Sequence, residues 1–127
     1  MEYAKEIKAA LTIPVMVTGG FRTVLIMNDA LSLSATDLIG MGRPFIIDPA
    51  FPKALLVGEI ESAPAIEQTF PESENLPRGA VLNWFCYQLT QLGEHSTVDL
   101  NADVQQGHQR YLASIELQTN KLLKIRG

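Results

Sequence analysis

Two stretches of this chain carry residues whose types and spacing suit anion chemistry: VMVTGGFR at positions 15–22 and DLIGMGRPFIIDP at positions 37–49. Each is a short apolar run of strand character that ends abruptly in glycine. There, backbone N–H groups can approach a ligand with no Cβ in the way. Arg43 adds a guanidinium whose fork matches two phosphate oxygens at once. Together the segments predict half of a phosphate site built from Gly20, Gly42 and Arg43. The same residues admit a purely structural reading, in which the glycines permit tight strand-to-helix turns and Arg43 pairs with a carboxylate such as Asp48.

Positioning both glycines at one place requires a particular set of elements. Gly20 and Gly42 lie 22 positions apart, enough for a strand end, a crossover helix and a second parallel strand. In an eight-stranded βα barrel, ligands bind at the C-terminal ends of the strands, and a phosphate often sits between the loops after the seventh and eighth. The pattern predicts a strand over 15–18, a turn over 19–22, and a helix from about Thr23 to Leu33 with Leu25, Ile26, Ala30 and Leu33 toward the sheet. A second strand follows over 38–41, apolar as a parallel strand buried on both faces should be. Ahead of them, Tyr3, Ile7 and Leu11 mark an amphipathic helix over 2–11. Asp48 as N-cap with Pro49 at the first helical position would open a further helix to about Val57, ending at Gly58.

The run IPVMVTGGFRT followed by TDLIGMGRPFIIDP resembles the end of the barrel in the old yellow enzyme family, the FMN-dependent NADH:flavin oxidoreductases and ene-reductases. The resemblance implies an α/β fold, a partial TIM barrel comprising the last two βα units with a helical C-terminal tail. It also implies that the Gly20 and Gly42 backbones and Arg43 hold the phosphate end of FMN. The stretches GAVLNWFCYQL and QRYLASIELQTNKLL resemble the helical tail of some members. One departure stands out: where the family usually closes the helix after the first strand with glycine, this chain has Ser34, so a left-handed cap there would carry a Cβ penalty.

A complete barrel takes about 250 residues, and this chain has 127. In the family, the first six strands supply the flavin-ring contacts, the histidine or asparagine pair for the substrate oxygen and the tyrosine proton donor. None maps here, so no catalytic residue is assigned. The expected function is a truncated or fragmentary FMN-dependent NAD(P)H oxidoreductase that keeps the phosphate motif and does not catalyse alone. The alternative is a non-catalytic oligomerisation or partner-docking scaffold derived from that barrel. Two parallel strands leave edges of unpaired N–H and C=O groups. Their expected cover is a second copy, a complementary barrel portion, or the chain's own tail.

Composition narrows the remaining classes. Hydrophobic residues make up 46% and charged residues 19%, which allows a core and argues against wholesale disorder. A net charge of −4 with no concentrated basic face argues against nucleic-acid binding. No apolar run reaches the roughly 18 residues of a membrane span, and residues 1–11 lack a secretory pattern, so a cytoplasmic location is expected. Cys86 stands alone and reads as a buried, inert thiol. His95 and His108 lack metal-ligand spacing, so no metal site is assigned. Arg22 reads as a solvated loop arginine, and Phe21 and Phe45 as packing residues.

Three regions are expected: barrel-like βα units over 1–57, a proline-rich extended connection over 58–79, and a helical tail over 80–127 packing on the same domain. In the tail, Leu82, Phe85, Leu89 and Leu92 predict one helix stopped at Gly93. Val104, Tyr111, Ile115 and Leu122 predict another from about Ala102, capped by Asp99 or Asn101.

Overall fold

Two short parallel strands and the segments that fasten them form the core of the first half of the molecule. In the computed structural model, which describes residues 2–126, β1 (Met16–Thr18) pairs in parallel with β2 (Leu38–Gly40). The register sets Met16 opposite Leu38, Val17 opposite Ile39 and Thr18 opposite Gly40. The helix α1 (Glu2–Ala10) precedes β1, and α2 (Val24–Ser32) crosses over between the strands. After β2 come α3 (Arg43–Ile47) and α4 (Phe51–Leu56). The chain divides into two compact units, residues 1–65 and 66–127. The architecture is mixed α/β and mostly helical, with a two-stranded sheet.

The register is locked at the N-terminal ends of the strands. Thr36 is buried, and its hydroxyl lies 2.8 Å from the carbonyls of both Val15 and Leu38, so its single hydrogen can serve either. Asp37 accepts from the Val15 N–H at 2.8 Å through Oδ2 and from Lys8 Nζ through Oδ1. The backbone N–H groups of Asp37 and Leu38 both donate to the Val15 carbonyl, at 2.8 and 3.2 Å. The Lys8 hydrogen bond, with help from the Val15 N–H, holds the Asp37 carboxyl below its usual pKa.

One face of the sheet is covered. Val17 and Ile39 pack on a core of Phe21, Met27, Ala30, Phe51 and Ala63, which excludes apolar surface from water. The other face is not covered: Met16 is 60% and Leu38 55% exposed. This corrects the expectation of a second strand buried on both sides. The helix before β1 forms as predicted but contains no buried residue, and its Tyr3, Ile7 and Leu11 are exposed.

In α2 the packed residues are Met27 and Ala30, while Leu25, Ile26 and Leu33 face solvent. The phase is set by Thr23, whose hydroxyl accepts from the Ile26 N–H as N-cap. Ser34 takes the left-handed conformation, with φ 52°, and its N–H closes the helix end on the Leu31 carbonyl at 3.1 Å. The penalty foreseen from the sequence is therefore present. Ser34→Gly should raise the stability of this unit by about 1 kcal/mol, measured as a shift in the urea midpoint at unchanged slope.

Residues 43–47, between the expected second strand and the expected Asp48 cap, form the short helix α3. Asp48 ends it and, through Oδ1, accepts from the Ala50 N–H at 2.8 Å. The following helix consequently begins at Phe51 rather than Pro49, and it still ends before Gly58 at φ 77°. Residues 59–63 are fastened back onto this unit: Val24 N–H donates to the Glu61 carbonyl at 3.0 Å and Ala63 N–H to the Arg22 carbonyl at 2.7 Å. Two 3₁₀ turns, Ile66–Thr69 and Ser73–Asn75, interrupt the rest of the stretch expected to be extended.

The second unit is built on α5 (Ala80–His95) and α6 (Val104–Arg126). The first of these runs through Gly93 and closes at Ser96, which adopts φ 57°. Its buried side is Ala80, Trp84, Phe85, Tyr87 and Gln88, whereas Leu82 and Leu89 are exposed. Gln88 is 0% exposed; its amide donates to the Asp99 carbonyl at 3.0 Å and accepts from the Asp99 N–H at 2.8 Å. A polar residue can occupy the core only when satisfied in this way. Asp103, not Asp99 or Asn101, caps α6: its carboxylate accepts from Gln106 N–H at 2.8 Å while Gln106 Oε1 accepts from Asp103 N–H at 3.2 Å, a reciprocal capping box. Of the expected α6 face, Val104 is buried and Tyr111 half-buried, but Ile115 and Leu122 are exposed.

Asp99 instead joins the helices through its carboxylate. Oδ2 accepts from Tyr87 Oη at 2.9 Å and from Arg110 at 2.8 Å, and Oδ1 accepts from the Asn101 N–H at 3.2 Å. The Tyr87 hydroxyl foremost, with the backbone and Arg110 adding to it, holds the Asp99 carboxyl below its ordinary range. A carboxyl depressed in the folded state contributes stability above its unfolded pKa, about 3.9, and loses it as pH falls through the folded value. The stability gap between wild type and Asp99→Asn should therefore be full above about pH 5 and shrink on acidification below about pH 4, as followed by helical circular dichroism in urea.

Candidate functional site

The site lies where both strands end. Gly19 and Gly20 follow β1 with φ of 106° and 77°, a pair of left-handed positions that side chains rarely adopt. This turn points the chain away from the strand and delivers Phe21 to the core, where it is buried. After β2, Met41 and Gly42 lead into α3. Because the strands are parallel and in register, the two turns emerge side by side. Gly19, Gly20, Arg22, Met41, Gly42 and Arg43 line one cavity of about 350 Å³. Gly20, Gly42 and Arg43, the residues singled out from the sequence, are thus brought together.

The two glycines serve different ends. At Gly20 the positive φ alone requires glycine. Gly42 has an ordinary φ of −108°, yet an added Cβ would meet nothing within 4 Å. Its N-cap position at the start of α3 gives glycine a modest preference, but packing within the protein does not demand it. What its absence of a side chain leaves is open space on the cavity wall, the kind of approach a phosphate oxygen needs to reach a backbone amide.

Arg22 departs from its sequence reading. It is half-buried, donates through one guanidinium nitrogen to the Phe21 carbonyl at 2.8 Å, and lines the cavity. Its neighbour Ser62, which pairs with Thr23 in an isolated bridge, is what the sequence could not announce. Arg43 is exposed at the rim. Two arginines, and no carboxylate, are among the residues that line the cavity. Phe21 packs in the core, and Phe45 meets Phe51 edge-on with centroids 4.9 Å apart.

The other candidates sit elsewhere. Cys86 is half-buried rather than buried, and its thiol beside the Tyr111 hydroxyl pushes that tyrosine's pKa up. His108 Nδ1 lies 3.0 Å from the Asn83 amide nitrogen, which donates to it, and His95 is exposed. Among the described residues no three His, Cys, Asp or Glu side chains gather as metal ligands. No helix among them is long and apolar enough to cross a membrane.

No protein-family model matches the chain. Individual proteins do. The NADH-dependent flavin oxidoreductase iccE of Talaromyces variabilis is 35% identical over 57 residues, which is 44% of this chain and 14% of that protein. The NADH-dependent flavin oxidoreductase iliE of Neonectria sp. (strain DH2) is 31% identical over 70 residues, 53% of this chain and 9% of its own length. The matched stretches are thus a small part of either relative. Over about half its length, then, this chain is similar to NADH-dependent flavin oxidoreductases.

Proposed function

We propose that this chain corresponds to the last two βα units of a flavin oxidoreductase barrel, with Gly20, Gly42 and Arg43 holding the phosphate end of FMN. The observation that carries the reading is the convergence of these three residues on one cavity, with open space where a Gly42 Cβ would stand. Similarity to two NADH-dependent flavin oxidoreductases supports it. The phosphate end of FMN fits the residues present: backbone N–H groups at two glycine turns would donate to its oxygens, and Arg43 would supply a guanidinium able to donate to two of them. When bound, FMN supplies hydride-transfer chemistry. This chain's share is anchoring and orientation, because the two strand ends carry no group suited to proton transfer to a substrate. Catalysis by the chain alone is not expected.

Titration with FMN, followed by flavin fluorescence, and with inorganic phosphate, followed by calorimetry, tests the reading. Saturable binding of both, competitive with each other, is expected. A flat response to both would sink it.

A docking scaffold is the second reading, favoured by the exposed Met16 and Leu38 face and the unpacked side of α1. Its partner would be a second copy or a complementary barrel portion that adds parallel strands to the sheet.

A further inference from the structure

We propose that Thr18 is a ligand-positioning residue, whose hydroxyl binds the polyol chain of an alditol phosphomonoester anchored at Gly20, Gly42 and Arg43. The inference rests on the phosphate reading above and extends it from the anion to the carbon chain that carries it.

Thr18 is the last residue of β1 and stands opposite Gly40, the last residue of β2. Both precede the cavity directly: Thr18 is followed by Gly19 and Gly20, and Gly40 by Met41 and Gly42. A Cβ built on Gly40 would fall 2.1 Å from Thr18 Oγ1 and 3.0 Å from Thr18 Cβ. The threonine side chain therefore lies across the Gly40 backbone, in the space a side chain at position 40 would fill. Gly40 is buried beneath it, while Thr18 itself is exposed. Gly40 does not have a positive φ, so room for Thr18 is what demands glycine there.

Alternation along the strands shows why a hydroxyl at this point is informative. Thr18 and Gly40 share the uncovered sheet face with Met16 and Leu38, since side chains two apart point the same way. That face is apolar at its far pair and polar only at the pair beside the cavity. Among the described residues, no protein group takes up the Thr18 hydroxyl. Thr36, by contrast, is buried, and its single hydroxyl hydrogen is taken up by the Val15 or the Leu38 carbonyl.

A hydroxyl both donates and accepts, which matches the hydroxyls of a neutral polyol. The cavity volume of about 350 Å³ is in the range of small-molecule sites rather than that of a lone anion. Thr18 does not itself line the cavity but directly precedes it, so a ligand with its phosphate against the glycine turns and its chain along the strand ends would meet the Thr18 hydroxyl.

The experiment compares inorganic phosphate, ribitol 5-phosphate and FMN as titrants against wild type, Thr18→Val and Thr18→Ser. Thr18→Val keeps the shape and removes the hydroxyl, and Thr18→Ser keeps the hydroxyl. We expect Thr18→Val to weaken ribitol 5-phosphate and FMN about fivefold while leaving inorganic phosphate unchanged, with Thr18→Ser close to wild type for all three. Equal losses for inorganic phosphate and the polyol phosphates, or no change for ribitol 5-phosphate, would overturn the assignment while leaving the anion site standing. Failure of all three ligands to bind wild type would remove the anion site, and this proposal with it.

Discussion

Trp84→Ala should destabilise the helical unit by about 3–5 kcal/mol. Trp84 is 1% exposed and meets Phe70 and Phe85 edge-on, with centroid separations of 4.9 and 5.1 Å. Its indole N–H donates to the Ala102 carbonyl at 2.8 Å, just before α6 begins. On the other side, Gly107 of α6 lies so close that a Cβ there would fall 2.4 Å from Trp84 Cδ1. Truncation would open a cavity and leave a carbonyl without its donor. Thermal and urea unfolding followed by far-ultraviolet circular dichroism reads the effect. Trp84→Phe separates the two contributions, since it fills part of the space but loses the N–H; it should cost about 1–3 kcal/mol. A loss below about 1 kcal/mol for Trp84→Ala would show that α5 and α6 are held by something other than this contact.

At the strand ends, Gly42→Ala should leave the fold nearly intact and still weaken phosphate and FMN binding by about tenfold or more. Its φ is ordinary and its Cβ would touch nothing within 4 Å. A change of about 1 kcal/mol or less in stability is expected, mainly from the N-cap position. The methyl group would nevertheless stand in the space through which an anion reaches the amide. Arg43→Ala should weaken binding by about ten- to a hundredfold, the range for a charge-assisted hydrogen bond of about 1.5–3 kcal/mol. Gly20→Ala is a less informative variant, because its φ of 77° adds about 1–2 kcal/mol of backbone strain to any effect on binding. Unchanged affinity in Gly42→Ala and Arg43→Ala together would exclude the cavity as the anion site.

The strand ends were legible because glycine is conspicuous and the spacing between Gly20 and Gly42 leaves room for only one crossover helix. Parallel pairing and the meeting of Gly20, Gly42 and Arg43 follow from that arithmetic. Ser34 was legible only through the family resemblance, which implies a helix-closing glycine at its place. The packed sides of the helices were less so. Counting leucines favours Leu82 and Leu89, but Trp84 has more surface to bury, and Gln88 enters the core only because the Asp99 backbone, eleven residues on, satisfies both ends of its amide. Such a partnership has no periodic signature. The cap of α6 was misplaced for a related reason: Asp99 and Asn101 were the expected caps, but Asp103 lies within five positions of Asp99 and Gln106 selects it by reaching back. Arg22 was underestimated because its position depends on the return of residues 61–63, which the connecting stretch does not announce.

The Thr36–Asp37 clamp has a consequence for how this small sheet could change over time. Alignment of the strands is settled at the ends where Val15 is gripped by Thr36 and Asp37, while the cavity lies at the opposite ends. Mutations or insertions in the turns at 19–22 and 41–43 can therefore reshape the cavity without shifting one strand against the other. The two strands behave as a mounting on which the turns are exchangeable, and drift in the shape of the cavity need not pass through a misaligned fold.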